Sequence, residues 1–154
     1  MSDTVLSVIP TDPHRQPWRP AADRATALVT ALTGGLAVDT DVEVDVDRYA
    51  APAVVDSGQN LTRIGCPHCR GSIDLDWWAE LVADHQDGFA SPSADVPCCD
   101  ATTSLDTLDF DWPCGFARFE IAAWNPELSR LTDEQPAAVA KALGHPVRQI
   151  RAHI

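Results

Sequence analysis

Two close pairs of cysteines, Cys66-Pro67-His68-Cys69 and Cys98-Cys99 after Pro97, set the strongest constraint on how this chain can fold. Four thiolates from two short loops satisfy one tetrahedral zinc ion. Closing such a site supplies folding free energy that a small module cannot draw from its own core. The pattern predicts a metal-stapled module with structural zinc as cofactor and Cys66, Cys69, Cys98 and Cys99 as ligands. Adjacent cysteines in an extended chain point to opposite sides, so Cys98 and Cys99 reach one ion only if the chain turns tightly at Pro97 and beyond. Otherwise His85 or Cys114 takes a vacant ligand position. Their plainer readings are a surface residue at a helix end for His85 and a small buried residue for Cys114.

Compartment and charge narrow the function. Residues 1–10 carry no basic segment ahead of an apolar run, and no stretch reaches the roughly 18 uninterrupted apolar residues of a membrane span. These features predict a cytoplasmic protein. In a reducing compartment an odd count of five cysteines reads as metal binding rather than disulfides. Eleven Lys and Arg against 23 Asp and Glu give a formal net charge of −12. That charge repels nucleic acid and anionic membranes and favours a protein partner with a basic surface.

A weak internal repeat organises the rest: strand, Pro-containing loop, helix, Gly, strand. The first copy runs from a strand at 5–9 through Asp12-Pro13, a helix at about 21–32 and Gly34-Gly35 to a strand at 42–46. Ala25, Leu28, Val29 and Leu32 form its helical stripe. The second copy runs from a strand at 116–124 through Asn125-Pro126, a helix at about 133–143 and Gly144 to a strand at 147–154. There Thr132 and Gln135 offer a capping box, and Leu131, Val139 and Leu143 a buried stripe. Two β-α-β units predict an α+β fold of the ferredoxin-like kind, an antiparallel sheet with both helices on one face. The whole chain, 1–154, reads as a single domain. Residues 56–115, which open on a polar turn and hold every cysteine, read as an inserted zinc-ribbon-like module, with a short helix at about 74–85.

Cys-Pro-His-Cys resembles the active-site sequence of bacterial thiol oxidases of the thioredoxin-like family, where the first cysteine sits at a helix N-terminus that stabilises its thiolate. Here Gly71 follows closely and disfavours a helix, and the segment also looks like a zinc knuckle. The overall order is similar to that of small uncharacterised bacterial proteins with a zinc-ribbon-like element: Cys-Pro-x-Cys, Pro-Cys-Cys, a Leu-Asp-rich segment, then Trp-Pro-Cys-Gly-Phe before a β-α-β ending. Some of these resemble immunity proteins of bacterial toxin systems, which implies an acidic surface directed at a basic toxin.

Other features carry plainer readings beside the functional ones. Trp77 and Trp78 cannot both face one core, so one either anchors a partner or packs against the zinc loop while its neighbour packs on the sheet. Asp41, Glu43, Asp45 and Asp47 alternate with Val42, Val44 and Val46 and read as a solvated strand face that discourages edge pairing. Asp106, Asp109 and Asp111 lack the spacing of a calcium loop. No phosphate-cradling loop, nucleophile elbow or His-Glu-x-x-His occurs. The expected function is therefore a non-enzymatic, zinc-stabilised protein-binding module. The alternative is a thiol-disulfide oxidoreductase or metal enzyme using Cys66 and Cys69.

Overall fold

The computed structural model describes residues 3–154; Met1 and Ser2, which belong to the expected single domain and its N-terminal stretch, lie outside the described residues. Strand β1 (Thr4–Pro10) leads into helix α1 (Arg19–Leu32) and a long strand β2 (Glu43–Val55). A run of short elements follows: β3 (Ile64–Gly65), β4 (Ser72–Ile73), helix α2 (Leu75–Asp84), β5 (Ser93–Asp95), β6 (Thr102–Ser104), a 3-10 turn (Leu105–Thr107) and β7 (Asp109–Phe110). The chain then returns through β8 (Gly115–Trp124), helix α3 (Glu134–Leu143) and β9 (Val147–His153).

The four long strands form one sheet in the order β2-β8-β1-β9, with every neighbouring pair antiparallel. Thus β1 and β2 run the same way with β8 between them, and β8 and β9 run the same way with β1 between them. Both helices pack on one face. Ala22, Ala25 and Val29 of α1 and Val139 and Leu143 of α3 meet Leu6, Val8, Phe119, Ile121 and Ala123 of the sheet, with Leu131 closing the core. The register pairs Val8 with Ile121 and Leu6 with Ala123, so the apolar residues of the central strands share that face.

Local chemistry fixes the helix ends. Pro20 falls in the first turn of α1, where a missing N–H costs nothing. Gly34 (φ +91°) and Gly144 (φ +80°) take the left-handed conformation that stops α1 and α3. The Gln135 side chain accepts from the Thr132 N–H at 2.8 Å, which is the return half of a capping box, while Asp133 occupies the cap position itself.

Strand β2 differs from its expected extent of 42–46. It begins at Glu43 and continues to Val55, with a register shift between Arg48 and Ala53. Pro52 lies in that irregular stretch, and its carbonyl accepts from the Phe89 N–H at 2.7 Å. The valine row is also less buried than its alternation suggests: Val42 is buried and Val44 half-buried, but Val46 is 43% exposed. An edge strand has a neighbour on one side alone, so its inward row is only partly covered.

A second core lies among the short elements. Ile64, Cys66, Ile73, Trp78, Phe89, Val96, Leu105 and Leu108 pack together with Phe116 of β8. Trp78 meets the rings of Phe110 and Phe116 edge-on, and Phe89 meets Phe116 likewise. Trp77 packs half-buried against this same cluster. The expectation that Trp77 and Trp78 cannot both face one core is corrected, because a ring as large as indole reaches the cluster from the flank of α2.

Candidate metal centre

The four paired cysteines come together. Sγ atoms of Cys66, Cys69, Cys98 and Cys99 all lie within 4.8 Å of one another, with Cys69 and Cys98 at 3.3 Å and Cys66 and Cys99 at 3.9 Å. Sulfurs at the corners of a tetrahedron with metal–sulfur bonds of about 2.3 Å stand about 3.8 Å apart. The set therefore can hold one metal ion.

Two turns build the set. The first joins β3 to β4 and the second joins β5 to β6. Both have the same backbone. In the first, Cys66 N–H donates to Gly71 O at 2.9 Å and Arg70 N–H to Cys66 O at 3.0 Å. In the second, Val96 N–H donates to Ala101 O at 3.0 Å and Asp100 N–H to Val96 O at 2.9 Å. Arg70 (φ +62°) and Asp100 (φ +60°) occupy the same left-handed position. The tight turn that adjacent ligands require is thus present at residues 97–99. Cys69 and Cys99 are equivalent, whereas Val96 stands where Cys66 does and Cys98 where His68 does.

Backbone N–H groups point at the sulfurs. His68 N–H donates to Cys66 Sγ at 3.4 Å and Gly71 N–H to Cys69 Sγ at 3.3 Å. The N–H groups of Cys69 and His68 hold the Cys66 thiol down to about 6, against the opposing effect of burial. Burial, followed by the thiols of Cys69 and Cys66, pushes Cys98 up to about 12. Four sulfurs this close cannot all ionise by themselves, and a divalent cation would supply the missing charge. Arg63, Arg70 and Asp109 line the depression beside Cys66.

The other expected candidates lie elsewhere. His85 caps α2, its Nδ1 is 2.8 Å from Leu81 O, and its ring stacks on Phe89 at 4.3 Å. Cys114 is buried beside Ser57, and burial raises its thiol pKa. Asp111 organises a loop: one carboxylate oxygen accepts from the N–H groups of Thr62, Arg63 and Trp112, and the Thr62 hydroxyl bonds the other. Those hydrogen bonds, the Thr62 hydroxyl foremost, pull its pKa below the ordinary value. Cys66 sits on a turn between two strands, and α2 begins only at Leu75, so the helix-terminal setting of a thioredoxin-like cysteine is not built here.

One polar group escapes the sequence reading. Glu120, in the centre of β8, accepts from the Ser7 hydroxyl at 2.5 Å and the Tyr49 hydroxyl at 3.4 Å. Burial raises its pKa, with the Asp47 and Asp56 charges adding to the effect, and burial beside Glu120 raises Tyr49 as well. The available signal was a lone carboxylate inside the apolar run from Phe116 to Trp124. Its partners are too distant in sequence to be read from it.

Fold and cluster together define an α+β protein with, among the described residues, three helices, antiparallel sheets and a four-cysteine cluster able to bind a metal. No family model, curated protein or solved structure matches the chain. Among the described residues, no helix is long and apolar enough to cross a membrane.

Proposed function

We propose that this protein is a non-enzymatic, zinc-stabilised binding module of the cytoplasm whose partner is a basic protein, in the manner of an immunity-type protein. The observation that carries the reading is the convergence of four cysteine sulfurs from two turns. Four thiolates complete a tetrahedron and leave no position for the water that catalytic zinc activates. An all-sulfur set suits zinc, and a reducing compartment keeps its members available as thiolates.

The strand order β2-β8-β1-β9, with α1 and α3 on one face, supports a ferredoxin-like body. Two strand-turn-strand units bearing the cysteines support a zinc-ribbon-like insertion over residues 56–115 of a single domain. The formal charge of −12 supports a basic partner and argues against nucleic acid and anionic membranes.

Elemental mass spectrometry on protein purified without added metal or chelator tests the centre. The expected result is about one zinc per chain, and Cys66→Ser lowers metal content and folding together. Metal-free protein in which Cys66 and Cys69 oxidise readily to a disulfide would overturn the reading in favour of thiol chemistry.

A further inference from the structure

The helices cover one face of the four-stranded sheet, and the opposite face holds an open cavity of about 280 Å³. Small side chains, Ser7 and Ala122, line it together with the rings of Tyr49 and Trp124. Asp45, Asp47, Asp56 and Glu120 line the same space, and none of its lining residues is Lys, Arg or His. Glu43 extends the row along exposed β2.

The carboxylates do not converge as metal ligands do. Among the described residues the four cysteines are the group whose donor atoms lie close enough to share an ion. The cavity instead offers separated carboxylates beside aromatic side chains, which suits an extended cation with an apolar stem: an Arg or Lys side chain. Glu120 sits among like charges with only hydroxyl partners, and a cation entering from solvent would supply the opposite charge that the fold withholds.

We infer that this open sheet face is the docking surface for a basic protein partner, one Arg or Lys side chain entering the cavity over Ser7 and Ala122 to pair with Glu120. Glu43, Asp45 and Asp47 meet further basic side chains along the β2 edge. The inference rests on the basic-partner reading above and adds the place where that partner binds.

The test uses the full metal-loaded chain and a fluorescently labelled Arg-Ala repeat peptide, followed by anisotropy in salt of about 150 mM, where exposed charges beyond ~8 Å are screened. Asp45→Ala/Asp47→Ala and, separately, Glu120→Gln are expected to weaken binding about tenfold. Glu80→Ala/Asp84→Ala removes the same charge as the first pair from exposed positions on α2 and is expected to change binding by less than about twofold. Amide shifts in nitrogen-15 spectra of the parent are expected at Ser7, Glu120 and Ala122. Equal weakening by both double variants, or shifts confined to other surfaces, would overturn the docking surface and leave the basic-partner reading standing. No binding of the peptide to the parent would overturn both.

Discussion

Val96 occupies the position in the second cysteine turn that Cys66 occupies in the first. Both donate and accept the same pair of backbone hydrogen bonds across their turns, and both are buried in the core beneath the four-cysteine cluster. The second turn therefore keeps the backbone of the first and supplies its extra sulfur from Cys98, two residues further along. The capacity to hold a metal here follows from a repeated backbone with unequal side-chain placement.

That equivalence predicts how the centre can be rewired. Cys98→Ser should lower zinc affinity by more than about 100-fold, beyond what loss of an outer hydrogen-bond partner costs. Val96→Cys combined with Cys98→Ser rebuilds Cys-Pro-x-Cys in both turns and should return affinity to within about tenfold of the parent. Competition with a chromophoric chelator measures both. A double variant no better than Cys98→Ser alone would mean that the two turns are not equivalent at the metal.

Phe116 should be the residue through which the two cores support each other. It belongs to β8 of the main sheet, is 2% exposed, and packs edge-on against Trp78 and Phe89 beneath the cysteine turns. Phe116→Ala leaves a cavity at that junction and should cost about 3–5 kcal/mol, read as a lowered urea midpoint. A loss under about 1 kcal/mol, the range of a surface change, would show that the module does not lean on β8 there.

Glu120 makes stability depend on pH in an unusual sense. A carboxylate whose folded pKa exceeds its unfolded value binds its proton more tightly in the folded chain. Its contribution is therefore fully present below the unfolded value and is lost as pH rises through the folded one. Burial raises Glu120 above its ordinary 4.5, the charges of Asp47 and Asp56 add to this, and the Ser7 and Tyr49 hydroxyls oppose it. Glu120→Gln keeps an acceptor for Ser7 without the charge. Its stability relative to the parent should rise as pH is taken from about 4.5 toward neutrality, measured by thermal unfolding at several pH values. A difference that does not change with pH would place Glu120 in a setting without net perturbation.

Much of this architecture was legible in the sequence because its signals are local. Helical spacing of Ala25 and Val29 and of Val139 and Leu143 marked α1 and α3, and all four side chains are buried between those helices and the sheet. Glycine marked their ends at Gly34 and Gly144. The paired cysteines marked the candidate centre, since ligand-bearing turns keep their members within a few residues.

Other features depended on which distant segments meet. The extent of β2 could not be read from its Val-Asp alternation, because its continuation past the register shift between Arg48 and Ala53 follows from pairing with β8. The placement of His85 against Phe89, far from any ligand role, and of both tryptophans against one core required the packing of α2. The Ser7–Glu120–Tyr49 group joins three strands. Sequence alone determined the elements and the donor atoms, whose causes lie within a turn or two of chain. Tertiary structure decided which donors come together and which carboxylate is half-buried among like charges, because burial and Coulomb interaction depend on distance in space, not along the chain.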